Sequence, residues 1–330
     1  MTWCLSIHAD YRCRHAGACC RTPWEVPVEA DVYRRLRDVD GGGRFVATGN
    51  MVHVGRDADG VCLFLDRAAH RCAIHRDHGP GLLPVACRMF PRVFLHDARG
   101  GFISLSHYCP TAAALLFEDG PVAIVPASST LVDVGELDGL DARQAWPPLL
   151  RPDVLMDLDA YGRWEQLVIG LLGSAADPRR ALDQVDAATQ RITQWSPGET
   201  PLVDAVIRAF AQGDEAASTV DDDALVRLVR RAASDPSGRK ALTHMPGAIG
   251  RWLAARAFAC WIAYQGRGLR TIVLYLRACL AVLAAELAQN GGRVDRASAI
   301  EAIRRADLLL LHQADSAALA ASLDRLANQP

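Results

Sequence analysis

The sequence predicts an α+β fold that is mainly α-helical, with a small irregular cysteine-rich domain at the N-terminus and an all-helical domain after it. Of the ten cysteines and ten histidines in the 330 residues, eight of each lie before residue 110. Beyond about residue 153, apolar residues recur with helical spacing instead. We therefore divide the chain into an N-terminal domain at 1–120, a connector at 121–152 and a helical domain at 153–330.

Composition and charge exclude several classes of protein. Hydrophobic residues make up 50% of the chain and the net charge is -2, so neither a disordered chain nor a nucleic-acid-binding protein is expected. Residues 1–8 contain neither a basic leader nor the apolar run of a secretory signal, and we expect a cytoplasmic protein. Residues 271–288 are apolar but contain Arg277 and Glu286. This stretch is therefore predicted to be a buried helix, with no membrane partner.

The N-terminal segment combines short elements with many turns. Val28, Val32 and Leu36 recur every fourth residue, which predicts a short helix. A second short helix is predicted to begin at Pro110, directly after Cys109, because proline suits the first helical turn. Brief strands between clusters of Gly and Asp are predicted at residues 44–54, 61–65 and 102–105.

The rest of the chain reads as a connector followed by helices. The connector is rich in Pro, Gly and Asp and contains one predicted strand, at 122–125. After it, the i, i+3, i+4, i+7 spacing of Trp164, Leu167, Val168 and Leu171 predicts a helix with one buried face. Asp295 is a predicted N-cap and Gly291-Gly292 a predicted helix stop. Further helices are predicted from 225, and at 247–264, 269–289 and 297–312.

Two cysteines and two histidines belong to the helical half. Cys279 shares a helix face with leucines, and Cys260 lies between Phe258 and Trp261. Free cysteine is among the most often buried residue types, so both are predicted to be small core residues. His244 and His312 are isolated in the sequence, and we expect structural roles for them as well.

The other cysteines form an ordered series that indicates metal binding. In a reducing cytoplasm such a series favours a metal site over disulfides, and the absence of Cys-x2-Cys pairs disfavours a simple zinc finger. Irregular spacing with a final Cys-Pro is more typical of an iron–sulfur cluster, although a zinc or iron ion remains open. Seven thiols exceed four ligands, so a second metal, supporting thiols or a reactive thiol are all alternatives. The seven are Cys13, Cys19, Cys20, Cys62, Cys72, Cys87 and Cys109.

The adjacent Cys19 and Cys20, and the histidines that lie between the cysteines, affect which residues can bind a metal. Neighbouring side chains point in different directions, so we expect only one of Cys19 and Cys20 to face a given metal. Histidines could serve as alternative ligands or as titrating groups. His75, which follows Cys72 by three residues, is the first to test. The others are His15, His70, His78 and His107.

The cysteines and their flanking residues form six motifs. These are Tyr11-Arg12-Cys13, Cys19-Cys20-Arg21, Cys62-Leu63-Phe64-Leu65, Cys72-Ala73-Ile74-His75, Cys87-Arg88-Met89-Phe90-Pro91-Arg92 and Cys109-Pro110. In order and spacing these motifs resemble the YkgJ-type cysteine-cluster family, which is described as zinc- or iron-chelating. Within that family, the regions around Cys87 and from 104 to 116 are similar to flagellin lysine-N-methylases, which also carry a helical C-terminal region.

The resemblance implies a [4Fe-4S] cluster and transfer of a methyl group from S-adenosylmethionine to a lysine of a protein substrate such as flagellin. It places Arg88 and Arg92 near the cluster, either in a salt bridge or as counter-charges to thiolates. Many relatives have a further cysteine where this chain has Ala16, and His15 or Cys4 are candidate substitutes. The implied metal ligands are Cys13, Cys19, Cys20, Cys62, Cys72, Cys87 and Cys109.

Two alternatives to the methylase fit the same cysteines. One is a non-enzymatic zinc- or iron-chelating protein, and the other is an interaction module whose zinc-stabilised N-terminal domain supports a helical docking surface. Gly41-Gly42-Gly43 is not a cofactor fingerprint, because it follows a charged helix end and opens no helix. The sequence therefore identifies neither an S-adenosylmethionine site nor a catalytic base.

Overall fold

The structure is an α+β fold that is mainly helical, which confirms the predicted class. A computed structural model describes residues 1–132, 139–213, 215, 220–229, 241–289 and 295–327. The strands in these ranges are β1 (Thr2–Leu5), β2 (Pro27–Val28), β3 (Phe45–Thr48), β4 (Met51–Val54), β5 (Leu65–Asp66), β6 (Arg71–Cys72), β7 (Arg92–Asp97), β8 (Gly100–Leu105), β9 (Ile124–Pro126), β10 (Gly139–Asp141), β11 (Leu149–Arg151) and β12 (Val154–Leu155).

A five-stranded sheet of order β10-β7-β8-β1-β9 forms the framework of the N-terminal region. Strands β7 and β8 form an antiparallel hairpin, in which Phe94 pairs with Ile103. Strand β1 inserts between β8 and β9, parallel to the first and antiparallel to the second. Leu5, Leu95 and Phe102 of this sheet belong to the same hydrophobic core as the C-terminal helices.

A second, smaller core lies beside that sheet. The sheet β2-β4-β3 packs with the first helix, whose Val32 and Leu36 are buried against Phe64 and Ile74. The short two-stranded sheet β5-β6 follows, with Leu65 paired to Cys72. Three cysteines lie at the edge of this core, so the small core and the cysteine series are built by the same residues.

Helices make up the C-terminal region, as predicted. The helices of the whole described chain are α1 (Ala30–Asp40), α2 (Ala73–His78), α3 (Val85–Met89), α4 (Pro110–Leu115), α5 (Ser129–Val132), α6 (Leu158–Gly173), α7 (Pro178–Ile192), α8 (Leu202–Ala211), α9 (Asp222–Val229), α10 (Pro246–Ala257), α11 (Ile262–Gln265), α12 (Leu269–Ala288), α13 (Arg296–Asp307) and α14 (Ser316–Ala327).

Helix α12 is the central core helix. It is long and apolar enough to cross a membrane, but 94% of its most apolar window is buried inside the protein, as expected for a core helix. Cys279 in α12 and Cys260 before α11 are both buried, and burial raises the pKa of each thiol. They are core residues, in agreement with the sequence prediction.

Several predicted elements differ in their bounds. The strand predicted at 61–65 is interrupted by a turn at residues 63 and 64, which the N–H of Leu65 closes by donating to the carbonyl of Cys62 at 3.0 Å, so only a single β-bridge at Cys62 and the start of β5 at Leu65 remain. The helix predicted at 247–264 is broken between α10 and α11, where Ala259 has a φ of 53°. The helix predicted at 297–312 continues past α13 as a π-helical turn, Leu308–Gln313.

The predicted helix boundaries have different outcomes. Asp295 caps α13 by accepting a hydrogen bond from the N–H of Ser298, which confirms its predicted role. The predicted Gly291-Gly292 stop lies outside the described residues.

A buried polar network joins the N-terminal sheet to the helices. Asp307 at the end of α13 accepts hydrogen bonds from the backbone N–H of His107 (2.5 Å) and from the indole of Trp252 (2.9 Å). Arg256 lies 3.8 Å from the same carboxylate, and the rings of His8 and His107 approach to 3.1 Å. All five residues are buried, so this network is enclosed between the two parts of the chain.

A second contact between the two parts surrounds His312. Its ring stacks on Trp24 at a centroid distance of 4.5 Å and hydrogen-bonds to the hydroxyl of Ser106 at 2.7 Å. Nearby, the guanidinium of Arg304 donates to the carbonyl of Tyr108 at 2.9 Å. His312 thus has a structural role, as expected, and its contacts are with residues of the N-terminal region that are distant in the sequence.

Candidate metal centre

All seven cysteines of the predicted ligand series line one cavity of about 490 Å³. The cavity lies between the small core around α1 and the start of α4. Its apolar walls come mainly from the loop before α3 and from the small core. The seven are Cys13, Cys19, Cys20, Cys62, Cys72, Cys87 and Cys109.

Four of these thiols form one contact group centred on Cys20. The Cys20 thiol hydrogen-bonds to those of Cys19, Cys62 and Cys72. Three local features bring them together. A 3-10 turn, Ala18–Arg21, carries the adjacent pair, the Cys62 N–H bonds to the Cys20 carbonyl at 2.9 Å, and strand β6 ends at Cys72.

The adjacent pair differs from the sequence expectation. We expected Cys19 and Cys20 to face different ways, but both thiols belong to the same group. The tight 3-10 turn accounts for this, since it begins after Gly17 in the left-handed conformation (φ 70°) and curls the backbone around the pair.

The contacts within this group shift the pKa values of its thiols in opposite directions. A hydrogen bond from Cys20 lowers the pKa of Cys72 to about 7, and the N–H groups at the start of α2 act in the same direction. Cys20 also lowers the pKa of Cys19 and of Cys62, whereas its own pKa is raised by the three hydrogen bonds. The contacts thus favour the neutral thiol at Cys20 and the thiolate form at Cys19, Cys62 and Cys72.

Cys87 in α3 is the fifth thiol near this group. Loss of hydration raises its pKa well above the ordinary value, and the charges of Cys19, Cys62 and Cys72 act in the same direction. Such mutual repulsion is what a bound cation relieves, because metal binding deprotonates thiols.

The remaining two thiols lie at the other side of the cavity. Cys109 directly precedes α4, and its sulfur lies 3.7 Å from the hydroxyl of Tyr11. Cys13 interacts electrostatically with both Cys19 and Cys109, so it lies between the two groups. Burial raises the pKa of Cys13, as it does that of Tyr11.

The two arginines implied by the resemblance both line the cavity, but with different partners. Arg92 donates to the carbonyl of Leu131 (2.6 Å) and lies over the ring of Tyr11 at 5.7 Å. Its contacts are therefore with other protein groups and connect α5 to the cavity wall. The Nε of Arg88 is buried and has no hydrogen-bond partner among the described residues. Arg88 is therefore the better placed of the two to meet an anionic group.

Two of the polar lining residues that were not predicted as site residues are Arg56 and Tyr11. Arg56 lines the cavity, donates to the carbonyl of Trp24 at 2.6 Å, and contributes to the lowered pKa of Cys62. Tyr11 lies two residues before Cys13 and its position was visible in the motif, whereas no local signal marks Arg56.

The proposed substitutes for the missing cysteine have different positions. Cys4 lies fully buried in β1, is not among the lining residues, and has a pKa raised to about 11 by burial. His15 and Ala16 both line the cavity, and so does His75. Of the two candidates, only His15 is in position to replace the cysteine. The other histidines considered, His70, His78 and His107, are not among the lining residues.

The thiols lie close together, but they do not have the geometry of a metal coordination shell. Among the residues that the structure describes, no group of three or more His, Cys, Asp or Glu side chains is already arranged to hold a metal ion. All ten cysteines are free. The donor set nevertheless fits a metal that prefers soft ligands, since thiolates suit zinc and iron–sulfur clusters.

Comparison with known proteins agrees with this donor set. Residues 12–110 match the CxxCxxCC family model, described as "Putative zinc- or iron-chelating domain". The N-terminal region is thus similar to domains of the cysteine-cluster type. No curated protein and no solved structure matches the chain. The matched segment includes all seven lining cysteines and ends within the first turn of α4.

The lowered pKa of Cys72 gives a test that needs no metal. In the metal-free protein, thiolate absorbance should rise with a step near pH 7, well below the ordinary cysteine value of about 8.5. A pH titration of the ultraviolet thiolate band would measure it. The step should lose amplitude in Cys72→Ser, because one of the thiols with a lowered pKa is removed, and should stay unchanged in Cys279→Ser. A wild-type protein that forms no thiolate below pH 8 would contradict the described contacts.

Proposed function

We propose that the protein holds an iron–sulfur cluster on thiolates of this cavity. The observation that carries the proposal is the contact group in which Cys20 bonds to Cys19, Cys62 and Cys72, with Cys87 beside it. Five sulfurs from four separate chain segments converge on one cavity, and thiols gathered in this number supply the ligands that a soft metal centre needs. The Arg88 side chain supplies a nearby positive charge for a thiolate-rich anionic centre.

We further propose that the loaded protein is a protein-lysine N-methylase that uses S-adenosylmethionine, with flagellin as the substrate type. Support comes from the similarity of the motifs around Cys87 and Cys109, and from the size of the cavity. Small-molecule pockets typically have about 300–1,000 Å³, so 490 Å³ exceeds what a single metal ion fills. S-adenosylmethionine supplies a methyl group, and the residues of the cavity wall would align it with a neutral lysine amine.

A non-enzymatic chelator is the second candidate, and one observation favours it. No Asp or Glu is among the described residues that line the cavity, so its polar lining consists of thiols, arginines, two histidines, Tyr11 and Thr111. A methylase needs a group that orients or deprotonates the lysine amine. Zinc or iron storage needs only the thiols, and it agrees with the description of the matching family model.

Anaerobic purification followed by metal and acid-labile sulfide analysis tests the first proposal. A coloured protein with iron and sulfide supports the cluster, whereas a colourless protein that holds only zinc overturns it and favours the chelator or the zinc-stabilised docking module. Mass spectrometry of flagellin incubated with the loaded protein and S-adenosylmethionine tests the second. Added methyl groups support the methylase. An intact cluster without methylation overturns that activity while leaving the metal centre standing.

A further inference from the structure

The family pattern and this chain differ at one position that faces the cavity. The pattern CxxCxxCC corresponds to Cys13, Ala16, Cys19 and Cys20, so alanine occupies the second cysteine position. Ala16 lines the cavity. A methyl group binds no metal, and a ligand that this position would have supplied must come from elsewhere or be lost.

Two imidazoles lie beside this position. The rings of His15 and His75 are 4.6 Å apart between centroids, and both residues line the cavity. His15 has a φ of 54°, a left-handed conformation that is uncommon outside glycine, and its N–H donates to the sulfur of Cys13 at 3.4 Å. His75 lies in the first turn of α2 after Cys72. Histidines from distant segments thus approach each other next to Cys13.

We propose that His15 and His75, together with the thiolate of Cys13, form a metal position of mixed imidazole and thiolate ligands that replaces the family cysteine at Ala16. The proposal rests on the proposed metal-binding function and identifies ligands specific to this chain. Its metal is a borderline divalent ion, zinc or ferrous iron, which accepts both nitrogen and sulfur.

The separation of the two rings suits this role. With Zn–N bonds of about 2.0–2.1 Å, two imidazole nitrogens on one tetrahedral ion lie roughly 3.3 Å apart. Ring centroids 4.6 Å apart are close enough for one nitrogen of each ring to lie at about that separation. Both residues are only half-buried, so both rings are partly open to the cavity and to solvent.

The experiment compares zinc-loaded full-length variants by X-ray absorption spectroscopy and metal stoichiometry. Wild type is expected to show imidazole nitrogen as well as sulfur around the metal. His15→Ala/His75→Ala should lose the nitrogen signal and weaken zinc binding at this position by at least about 100-fold, the upper figure for losing groups that only support ligands. His70→Ala is the matched control, since His70 also has a positive φ (52°) but is not among the lining residues.

A rescue variant keeps the test informative if the double variant folds poorly. Adding Ala16→Cys to His15→Ala restores the family cysteine, so zinc binding should recover with one more sulfur and one fewer nitrogen. A wild-type spectrum with sulfur alone, or one that the histidine variants leave unchanged, overturns this inference but not the thiolate centre. A wild-type protein that binds no metal overturns both.

Discussion

Cys20→Ser is expected to abolish metal binding at the thiol group while the helical core stays folded. Cys20 contacts three other thiols, so its replacement removes a ligand from the centre of the group. Serine keeps the size of the side chain but does not ionise to a soft thiolate near neutral pH. Changing groups that only support ligands typically costs about 10–100-fold in metal affinity, and we expect loss of a ligand to cost at least the upper figure. Metal analysis after anaerobic purification measures the loss.

Cys279→Ser is the matched control for this variant. Cys279 is fully buried in α12 and is not among the lining residues, so its replacement should leave the metal content unchanged. Cys87→Ser should also lose metal, since the Cys87 thiol faces the same group. Full metal content in Cys20→Ser would remove Cys20 from the ligand set and leave its three contacts without a functional explanation.

The metal centre shows what local sequence signals can and cannot predict. The cysteine series was recognisable from the number and order of cysteines in one short segment of the chain. Their grouping was not, because it depends on backbone contacts between segments about 40 residues apart, such as that between Cys62 and Cys20. The adjacency of Cys19 and Cys20 even argued against one group, since average helix and strand geometry ignores the tight turn.

The fold shows the same division between local and long-range signals. The helix around Val32 and Leu36 was predictable because its apolar spacing is local. Strand β1 was not, because four residues near the N-terminus become a strand only by inserting between β8 and β9, about 100 residues away. The partners of His107 and Asp307 gave no signal for the same reason, since their contact spans 200 residues of sequence.

Asp307→Ala is expected to lower the free energy of unfolding by about 3–5 kcal/mol, the usual cost of removing one partner of a buried ion pair. Burial alone would raise the pKa of Asp307, but the charge of Arg256 and the contacts with His107 hold it below the ordinary value. The carboxylate is therefore ionised inside the protein. Without it, the buried guanidinium of Arg256 keeps a hydrogen bond to the carbonyl of Leu105 but has no carboxylate within ion-pair distance in the described part of the chain.

Urea unfolding of the full chain, followed by far-ultraviolet circular dichroism, measures this change. Glu301→Gln is the control on the same helix, because Glu301 pairs with Arg304 and Arg305 near the surface and such pairs contribute only about 0–1 kcal/mol. Asp307→Asn should lie between the two, since an amide still accepts a hydrogen bond from Trp252 but carries no charge for Arg256. If Asp307→Ala unfolds at the same urea concentration as Glu301→Gln, the buried network contributes nothing measurable to stability and the expected loss is wrong.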